Sequence, residues 1–540
     1  MHQVKVGYSP KSMSQIFVVA SFMLVAPTWF YPAYAEVSPG VNVRVDQTAP
    51  GGRQIDPSVA VNPLDRRHII VLSGESFDRN ISDSRIRYYV SRDGGQTWKT
   101  SGILPGWESN RQGHGTVTFC SDGTAFATYY DINPNYAFRV LRSMDGGETW
   151  EVRTPARVHT GNENKPQILC DESGGAYDGR LYVRYGRIGQ IYVVYSDDQG
   201  ETWSSPAKAT PGETGSNNPG PMVVGPDSQL WVGWSSSVFP EKIQTSTSFD
   251  GGSTWEAAET VADTWGDPPV LAVDRSGGPT HGMVHCVYSW DSGTGDSDLF
   301  YSRRPPGAGG AWLPRLRLND DSVGNGKNQD LPAASVDPDG ILRIVWMDRR
   351  NDTGDGSIEV WGKISRDGGG NFEADFPISD QPFLEPTGDG ANLGGHAQVL
   401  SSANLFFPFW PDRRIDDGDI FSAAVRDFAL AEVTGLMVAK NGSTTISWTS
   451  QDPTYGEETV YDLISGDLDE LRADAGFDRA TCLGEDIPDT PYVDSRVGPN
   501  SGFGYYYLAR SQNGASDSSF GASNTSPDAR VGIDLEPQCF

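Results

Sequence analysis

Ser91-Arg92-Asp93-Gly94-Gly95-Gln96-Thr97-Trp98 returns as Ser143-Met144-Asp145-Gly146-Gly147-Glu148-Thr149-Trp150, as Ser196-Asp197-Asp198-Gln199-Gly200-Glu201-Thr202-Trp203 and as Ser248-Phe249-Asp250-Gly251-Gly252-Ser253-Thr254-Trp255. Four copies of S-x-D-x-G-x-T-W leave little room for chance. The chemistry of the octad is local: Asp accepts backbone N–H groups, Gly supplies φ > 0, and Trp offers a large apolar face to pack inward. The unit therefore reads as a tight structural hairpin, and no catalytic role is assigned to it.

Working outward, Ser365-Arg366-Asp367-Gly368-Gly369-Gly370-Asn371-Phe372 is a degenerate fifth copy, while Ser302 and Ser422 occupy the same place without the octad. The seven serines are 52, 53, 52, 54, 63 and 57 residues apart. That period suits four-stranded propeller blades. Each unit reads as strand, turn, strand, loop, strand, octad, strand. In the sixth, Ala333-Ala334-Ser335-Val336 turns through Asp337-Pro338-Asp339-Gly340 into Ile341-Leu342-Arg343-Ile344-Val345-Trp346, and Ser357-Ile358-Glu359-Val360-Trp361 follows. The fold class is all-β: a seven-bladed, alternatively six-bladed, β-propeller followed by a small β-sandwich. Little after Ser422 resembles a fourth strand. Asn42-Val43-Arg44-Val45-Asp46, similar to Arg315-Leu316-Arg317-Leu318-Asn319, is expected to close the ring from the N-terminal side.

Residues 1–35 carry Lys5 and Lys11, an apolar run from Ile16 to Ala26, and Ala33-Tyr34-Ala35, the pattern of a secretory signal cleaved before Glu36. The propeller is expected over 36–430. From about Ala431 the period stops, and Ser443-Thr444-Thr445-Ile446-Ser447-Trp448, Val460-Tyr461-Asp462-Leu463-Ile464 and Tyr505-Tyr506-Tyr507-Leu508-Ala509-Arg510 are short β-prone runs. This 431–540 stretch resembles a fibronectin type III-like module. Export permits disulfides. Cys482 and Cys539 could staple the last module, Cys120 and Cys170 end equivalent strands of adjacent repeats, and Cys286 reads as a buried thiol. The formal charge of −29 argues against nucleic acid or an anionic membrane surface as partner. No later segment is long and apolar enough to span a bilayer.

The octads fall between third and fourth strands, so the fourth-to-first and second-to-third loops emerge on the opposite face, around the channel, where a site is expected. Tyr130-Asp131, Trp290-Asp291, Trp346-Met347-Asp348-Arg349-Arg350 and Trp410-Pro411-Asp412-Arg413-Arg414 each put an acid just past the second strand. They could ring the channel with groups suited to hydroxyl-rich or anionic sugars, or accept hydrogen bonds from their own loops. Four loops break the repeat symmetry: Glu75-Ser76-Phe77-Asp78-Arg79, Asn110-Arg111-Gln112-Gly113-His114, Asn162-Glu163-Asn164-Lys165 and Asn328-Gln329-Asp330. Their acids, bases and amides could hold a glycan or calcium. None has EF-hand, P-loop or zinc-site spacing.

The octads are Asp boxes and resemble those of the sialidase superfamily over about residues 41–430. Active members use three arginines on the substrate carboxylate, a Tyr-Glu nucleophile pair and an Asp acid/base. The chain departs from that pattern twice. The early Phe-Arg-Ile-Pro would fall near Gln54-Ile55-Asp56-Pro57, with Arg53 nearby but out of register, and there is no tyrosine between Tyr301 and Tyr455. A Tyr-dependent sialidase is therefore disfavoured. Another glycoside hydrolase could use Glu75 or Asp78 against Asp348 or Asp412 as its two carboxylates. Arg53, Arg79, Arg111, His114, Glu163, Arg349 and Arg413 are the candidate substrate-binding residues. The competing class is a non-catalytic propeller that binds glycan or protein on the same face. The expectation is a secreted or periplasmic monomer with a glycan or glycoconjugate partner and no cofactor, calcium apart.

Overall fold

The computed structural model describes residues between 37 and 512, apart from 47–52, 77–83, 107–111, 132–136, 154–162, 265, 292, 294, 308–309, 353, 355, 385–397, 403–404, 416–417, 427–435, 442, 449–459, 468–480, 488–490 and 497–504. The chain forms two compact units, one of them Val37–Arg426. Every element among the described residues is a strand. Alternating apolar residues and a turn signal every few residues dictate this: one face of each strand is buried, and Gly and Asp end it.

Seven antiparallel sheets follow one another in Val37–Arg426. The first is Arg53–Asn62, Asp65–Ser76, Ser84–Ser91 and Thr100–Ile103; the second is Gln112–Phe119, Ala125–Asp131, Ala137–Ser143 and Glu151–Val152. The third is Glu163–Cys170, Leu181–Arg187, Gln190–Ser196 and Ala207–Lys208; the fourth is Asn217–Val224, Leu230–Ser236, Lys242–Ser248 and Glu259–Ala262. Val270–Val273, Val284–Asp291, Ser297–Arg304 and Leu316–Arg317 make the fifth, and Gln329–Val336, Leu342–Asp348, Ser357–Ser365 and Phe376–Pro377 the sixth, with Phe383–Leu384 also on its third strand. The seventh is built on Gln398–Ser402, Leu405–Asp412 and Asp419–Ser422, and its outer strand, Val43–Arg44, comes from the N-terminal side, Val43 opposite Ser422. Each first strand touches the next, and that of the seventh sheet touches that of the first, so the ring closes without a free inner edge.

Each pair of neighbouring sheets shares one apolar cluster. Ile70 and Leu72 meet Phe119 and Ala127 between the first and second; Phe407 and Phe409 meet Val59 and Ile69 between the seventh and first. Cys120 and Cys170 form a disulfide that ties the second sheet to the third, with Cα atoms 5.3 Å apart. Cys286 is a free, buried thiol. The repeated octad is the hairpin its residues dictate. In the first copy Ser91 Oγ donates to Asp93 Oδ1, Thr97 N donates to Asp93 Oδ1 at 2.8 Å, and Gly95, at φ +84°, donates its N–H to Ser91 Oγ at 2.9 Å. Trp98 is buried against Phe409.

The other unit contains Asp427–Phe540. Met437–Asn441, Ser443–Ser447 and Tyr492–Asp494 form one three-stranded sheet; Thr481–Ile487, Val460–Asp467 and Tyr505–Gln512 form another. Ile446 and Trp448 from the first pack on Tyr461, Leu463 and Ala509 of the second, the packing of a small sandwich. Cys482 is disulfide-bonded; Cys539 lies outside the described residues, as do residues 1–35. Among the described residues no helix is long and apolar enough to cross a membrane.

Candidate functional site

Register places the octads on one face and the candidate loops on the other. Ser91, at the end of a third strand, faces Ile69 in the first half of the second, whereas Gln54, near the start of the first strand, faces Glu75 at the end of the second. The same pairing sets Gln112 opposite Asp131 and Gln329 opposite Asp348. The strand-end acids therefore do gather on the channel face.

Most of those acids are engaged within their own sheets. Asp348 is fully buried: Oδ2 accepts from Trp346 Nε1 at 2.7 Å and from Arg350 Nε and Nη2 at 2.9 and 2.8 Å, and Oδ1 accepts from Arg350 N at 2.7 Å. Asp412 repeats the arrangement with Trp410 Nε1 at 3.0 Å, Arg414 Nη2 at 2.7 Å and Arg414 N at 2.8 Å. The guanidinium of Arg350 then lies 4.1 Å over Trp361 and that of Arg414 4.5 Å over Phe421. The recurring Trp-x-Asp-x-Arg is thus a clamp that shapes the second-to-third loop, and its carboxylates have no open face toward a ligand. Glu75, 1% exposed, accepts from Gln54 Nε2 at 3.2 Å and Arg87 Nη2 at 2.8 Å. Arg349 pairs with Asp330 at 2.8 Å, and Arg413 sits half-buried beside Asp412. Asp78, Arg79 and Arg111 lie outside the described residues; Glu163 opens the third sheet opposite Arg187, and only its backbone is described.

A different set converges. The first strands of five sheets slip register near their start, between Ile55 and Ser58, Gly113 and Thr116, Asn164 and Gln167, Pro219 and Met222, and Asp330 and Ala333. At four of these bulges the extra residue is left-handed: Asp56 at φ +50°, His114 at +45°, Lys165 at +48° and Leu331 at +52°. Bulges re-aim side chains, and backbone held in this region by non-glycine residues concentrates at functional sites. His114 Nδ1 lies 3.7 Å from Asp56 Oδ2, and its ring stacks on Tyr130 at 5.5 Å. Lys165 Nζ donates to Asn218 Oδ1 at 2.9 Å.

Electrostatics joins these residues. Burial pushes the Asp56 carboxyl up to about 7, with Lys165 and Arg53 pulling it back. Burial and the nearby Arg184 lower Lys165, while Asp56 and Asp267 oppose them. One side chain from each of the first three sheets, with Arg53 and Asp267 around them, therefore forms a mixed acid, imidazole and ammonium cluster. The sequence named Arg53 and His114 as substrate-binding candidates and placed Lys165 in a candidate channel-face loop, with Glu163 as that loop's candidate, but gave Asp56 no role. The signal was present: Asp56-Pro57, Lys165-Pro166 and Leu331-Pro332 recur at one place in the repeat.

Two clefts open on this face. One of about 490 Å³ lies between the fourth and fifth sheets, lined by Glu241, Asp263, Asp267, Trp290 and Asp291, with Phe239 at its rim 91% exposed. The other, about 400 Å³, lies between the third and fourth sheets. Among the described residues no group of three or more His, Cys, Asp or Glu could hold a metal ion.

Residues 44–264 match the family model of the BNR repeat-like domain. The chain carries BNR repeats. The matched span holds the first four sheets and with them Asp56, His114, Lys165 and Asn218. No curated protein matches the chain. Among solved structures it is similar to a protein of unknown function from Dyadobacter fermentans, at 13% identity and TM-score 0.44, over 72% of this chain and 99% of that one. It is also similar to a leech intramolecular trans-sialidase, at 13% identity and TM-score 0.40 over 57% and 67% of the two chains. A Penicillium chrysogenum α-L-arabinanase gives 16% identity and TM-score 0.38 over 60% and 96%.

Proposed function

We propose that the protein is a secreted, sialidase-like propeller that acts on carbohydrate as a glycoside hydrolase. The observation that carries this is Asp56: a carboxyl lifted to about 7 by burial, held at a left-handed bulge beside His114 on the channel face. An acid poised near neutral pH can protonate a leaving glycosidic oxygen, a step that contributes roughly 10²–10⁴-fold. Asp267, which acts on the same Lys165 and accepts a hydrogen bond from Ser289 at 2.8 Å, is the second carboxylate, deprotonating the water that attacks the anomeric carbon. His114 and Arg53 position the sugar. The C-terminal sandwich, with its fibronectin type III-like pattern, attaches or spaces the propeller and carries no chemistry.

The competing reading, a propeller that binds glycan without cleaving it, is favoured by Phe239, an exposed ring at the rim of an acid-lined cleft. Sugar release from a panel of sialylated and unsialylated glycans separates the two. Hydrolysis should fall about 10²-fold or more in Asp56→Asn and in Asp267→Asn. Because Asp56 acts in its protonated form, the rate should also fall as pH rises through about 7. Binding to a glycan array with no turnover on any glycan would assign the protein to the binding class.

A further inference from the structure

Lys165 is the member of the channel-face cluster that the hydrolytic step leaves without a task. It sits at a left-handed bulge, φ +48°, near the start of the third sheet's first strand. Its Nζ donates to the amide oxygen of Asn218 at 2.9 Å, a neutral acceptor, and among the described residues no carboxylate pairs with it. Lys363 shows the ordinary arrangement: it is 6% exposed, and its Nζ lies 2.6 Å from Asp375 Oδ1.

Beside Lys165 stands a second cation. Arg184 is 5% exposed, and its guanidinium donates to the carbonyl of Lys165 itself at 2.8 Å and to Gln167 Oε1 at 3.2 Å. Both acceptors are neutral, so the arginine's charge is left to act on the ammonium. Burial and Arg184 lower Lys165, against the more distant charges of Asp56 and Asp267. A lysine that is desolvated next to another cation carries more of the neutral amine, the form that attacks a carbonyl carbon.

The amine has room for a partner. Half-buried, Lys165 lines the cleft of about 400 Å³ between the third and fourth sheets, a volume in the range of small-ligand pockets. Among the described residues no carboxylate lines this cleft. Gln190, Asn218, Ser235 and Ser237 give it polar walls, and Pro219 is the one apolar side chain of the described lining. Amides and hydroxyls that both donate and accept suit a ligand rich in hydroxyl groups.

We propose that Lys165 is a covalent capture site, whose Nζ condenses with the open-chain aldehyde of a small reducing sugar held in this cleft and forms an imine. The neutral Nζ adds its lone pair to the aldehyde carbon, and the C–N bond forms as the π pair of the carbonyl moves to oxygen. That oxygen then leaves as water, both hydrogens of the amine passing to it through solvent as the C=N bond forms. Amine and aldehyde give imine and water with no change of oxidation state, so no co-reactant is required. The choice of a sugar aldehyde rests on the carbohydrate reading above, since a hydrolysed glycan ends in a reducing sugar. The reactivity of the amine does not rest on it.

The test incubates the full chain at pH 7 with D-glyceraldehyde, a three-carbon aldose, and cyanoborohydride, which reduces an imine to a stable secondary amine. Adducts are located by peptide mass mapping in wild type and in Lys165→Arg, with melting curves to establish that both are folded. In wild type Lys165 should be modified at least about tenfold faster than the exposed Lys99, at a rate that saturates with aldehyde because the cleft binds it before reaction. Lys165→Arg should abolish the saturable adduct and leave Lys99 unchanged. Modification of Lys165 no faster than Lys99, a rate linear in aldehyde, or a saturable adduct surviving in Lys165→Arg would overturn the assignment. The wild-type comparison decides the matter even where the variant does not fold. Its failure is separable from failure of the hydrolase reading. Sugar release from glycans with Lys165 no faster than Lys99 would retain the hydrolase and remove the imine, whereas saturable trapping at Lys165 without turnover on any glycan would do the reverse.

Discussion

Asp348→Asn separates a structural carboxylate from a catalytic one. In the native protein Asp348 is inaccessible to water and takes up Trp346 Nε1, Arg350 N and two guanidinium N–H groups of Arg350. Asparagine keeps the volume but removes the charge, and places an amide donor among donors. Breaking a buried pair by neutralising one partner costs about 3–5 kcal/mol. Arg350 retains Asp320 at 2.9 Å and Asp375 at 2.7 Å, which favours the lower end, about 3 kcal/mol. For a cooperative unit of about 390 residues, an unfolding entropy near 0.8 kcal/mol/K makes this a drop in Tm of about 4 °C. Differential scanning calorimetry reads the shift, and sugar release well below Tm should match wild type. An unchanged Tm with collapsed turnover would refute the clamp and make Asp348 a group that touches substrate.

Replacing both Cys120 and Cys170 with Ala opens a cross-link across 50 residues of sequence; the chain-entropy model gives a loss of about 4 kcal/mol, measurable as a lower denaturant midpoint. Burial depresses His285 from 6.5 to about 3, so the native state resists its protonation while the unfolded chain accepts it. Its contribution is intact above pH 6.5 and is lost as pH falls toward 3, so the stability gap between wild type and His285→Gln should narrow by up to about 1.4 kcal/mol per pH unit in that window, in urea titrations. Asp56 runs the opposite way: its folded value is raised from 3.8 to about 7, so its contribution is intact below 3.8 and is lost as pH rises to 7. Asp56→Asn should therefore gain on wild type across that window, by less than about 4 kcal/mol because the carboxyl keeps 20% of its surface in water. Phe239→Ala, at an exposed rim position, should weaken glycan binding several-fold with an unchanged melting curve.

The octads, the strand alternation and the period were legible in the chain because each is a local device: Asp93 and Gly95 close their own turn within a few residues. The outer strand of the seventh sheet was legible for a related reason, since Val43-Arg44-Val45 carries the same alternation as Leu316-Arg317-Leu318. The candidate site was less so. Asp348 and Asp412 stand out in sequence as acids in a recurring motif, but a motif does not disclose whether its carboxylate faces a ligand or its own tryptophan and arginine.

By itself the sequence determined the architecture, because hydrophobic alternation and turn chemistry act over a few residues and repeat at a fixed period. Only the tertiary structure decided which polar groups are spent and which are left over. Asp56, His114 and Lys165 are neighbours because consecutive sheets stand side by side and bulges near the start of their first strands re-aim the side chains; the recurring residue-Pro pair marks the place in the repeat but not what comes together there. Lys165 differs from Lys363 in what lies beside it, a buried guanidinium instead of a carboxylate, a matter of strand pairing over 19 and 12 residues of chain and not of the residue itself.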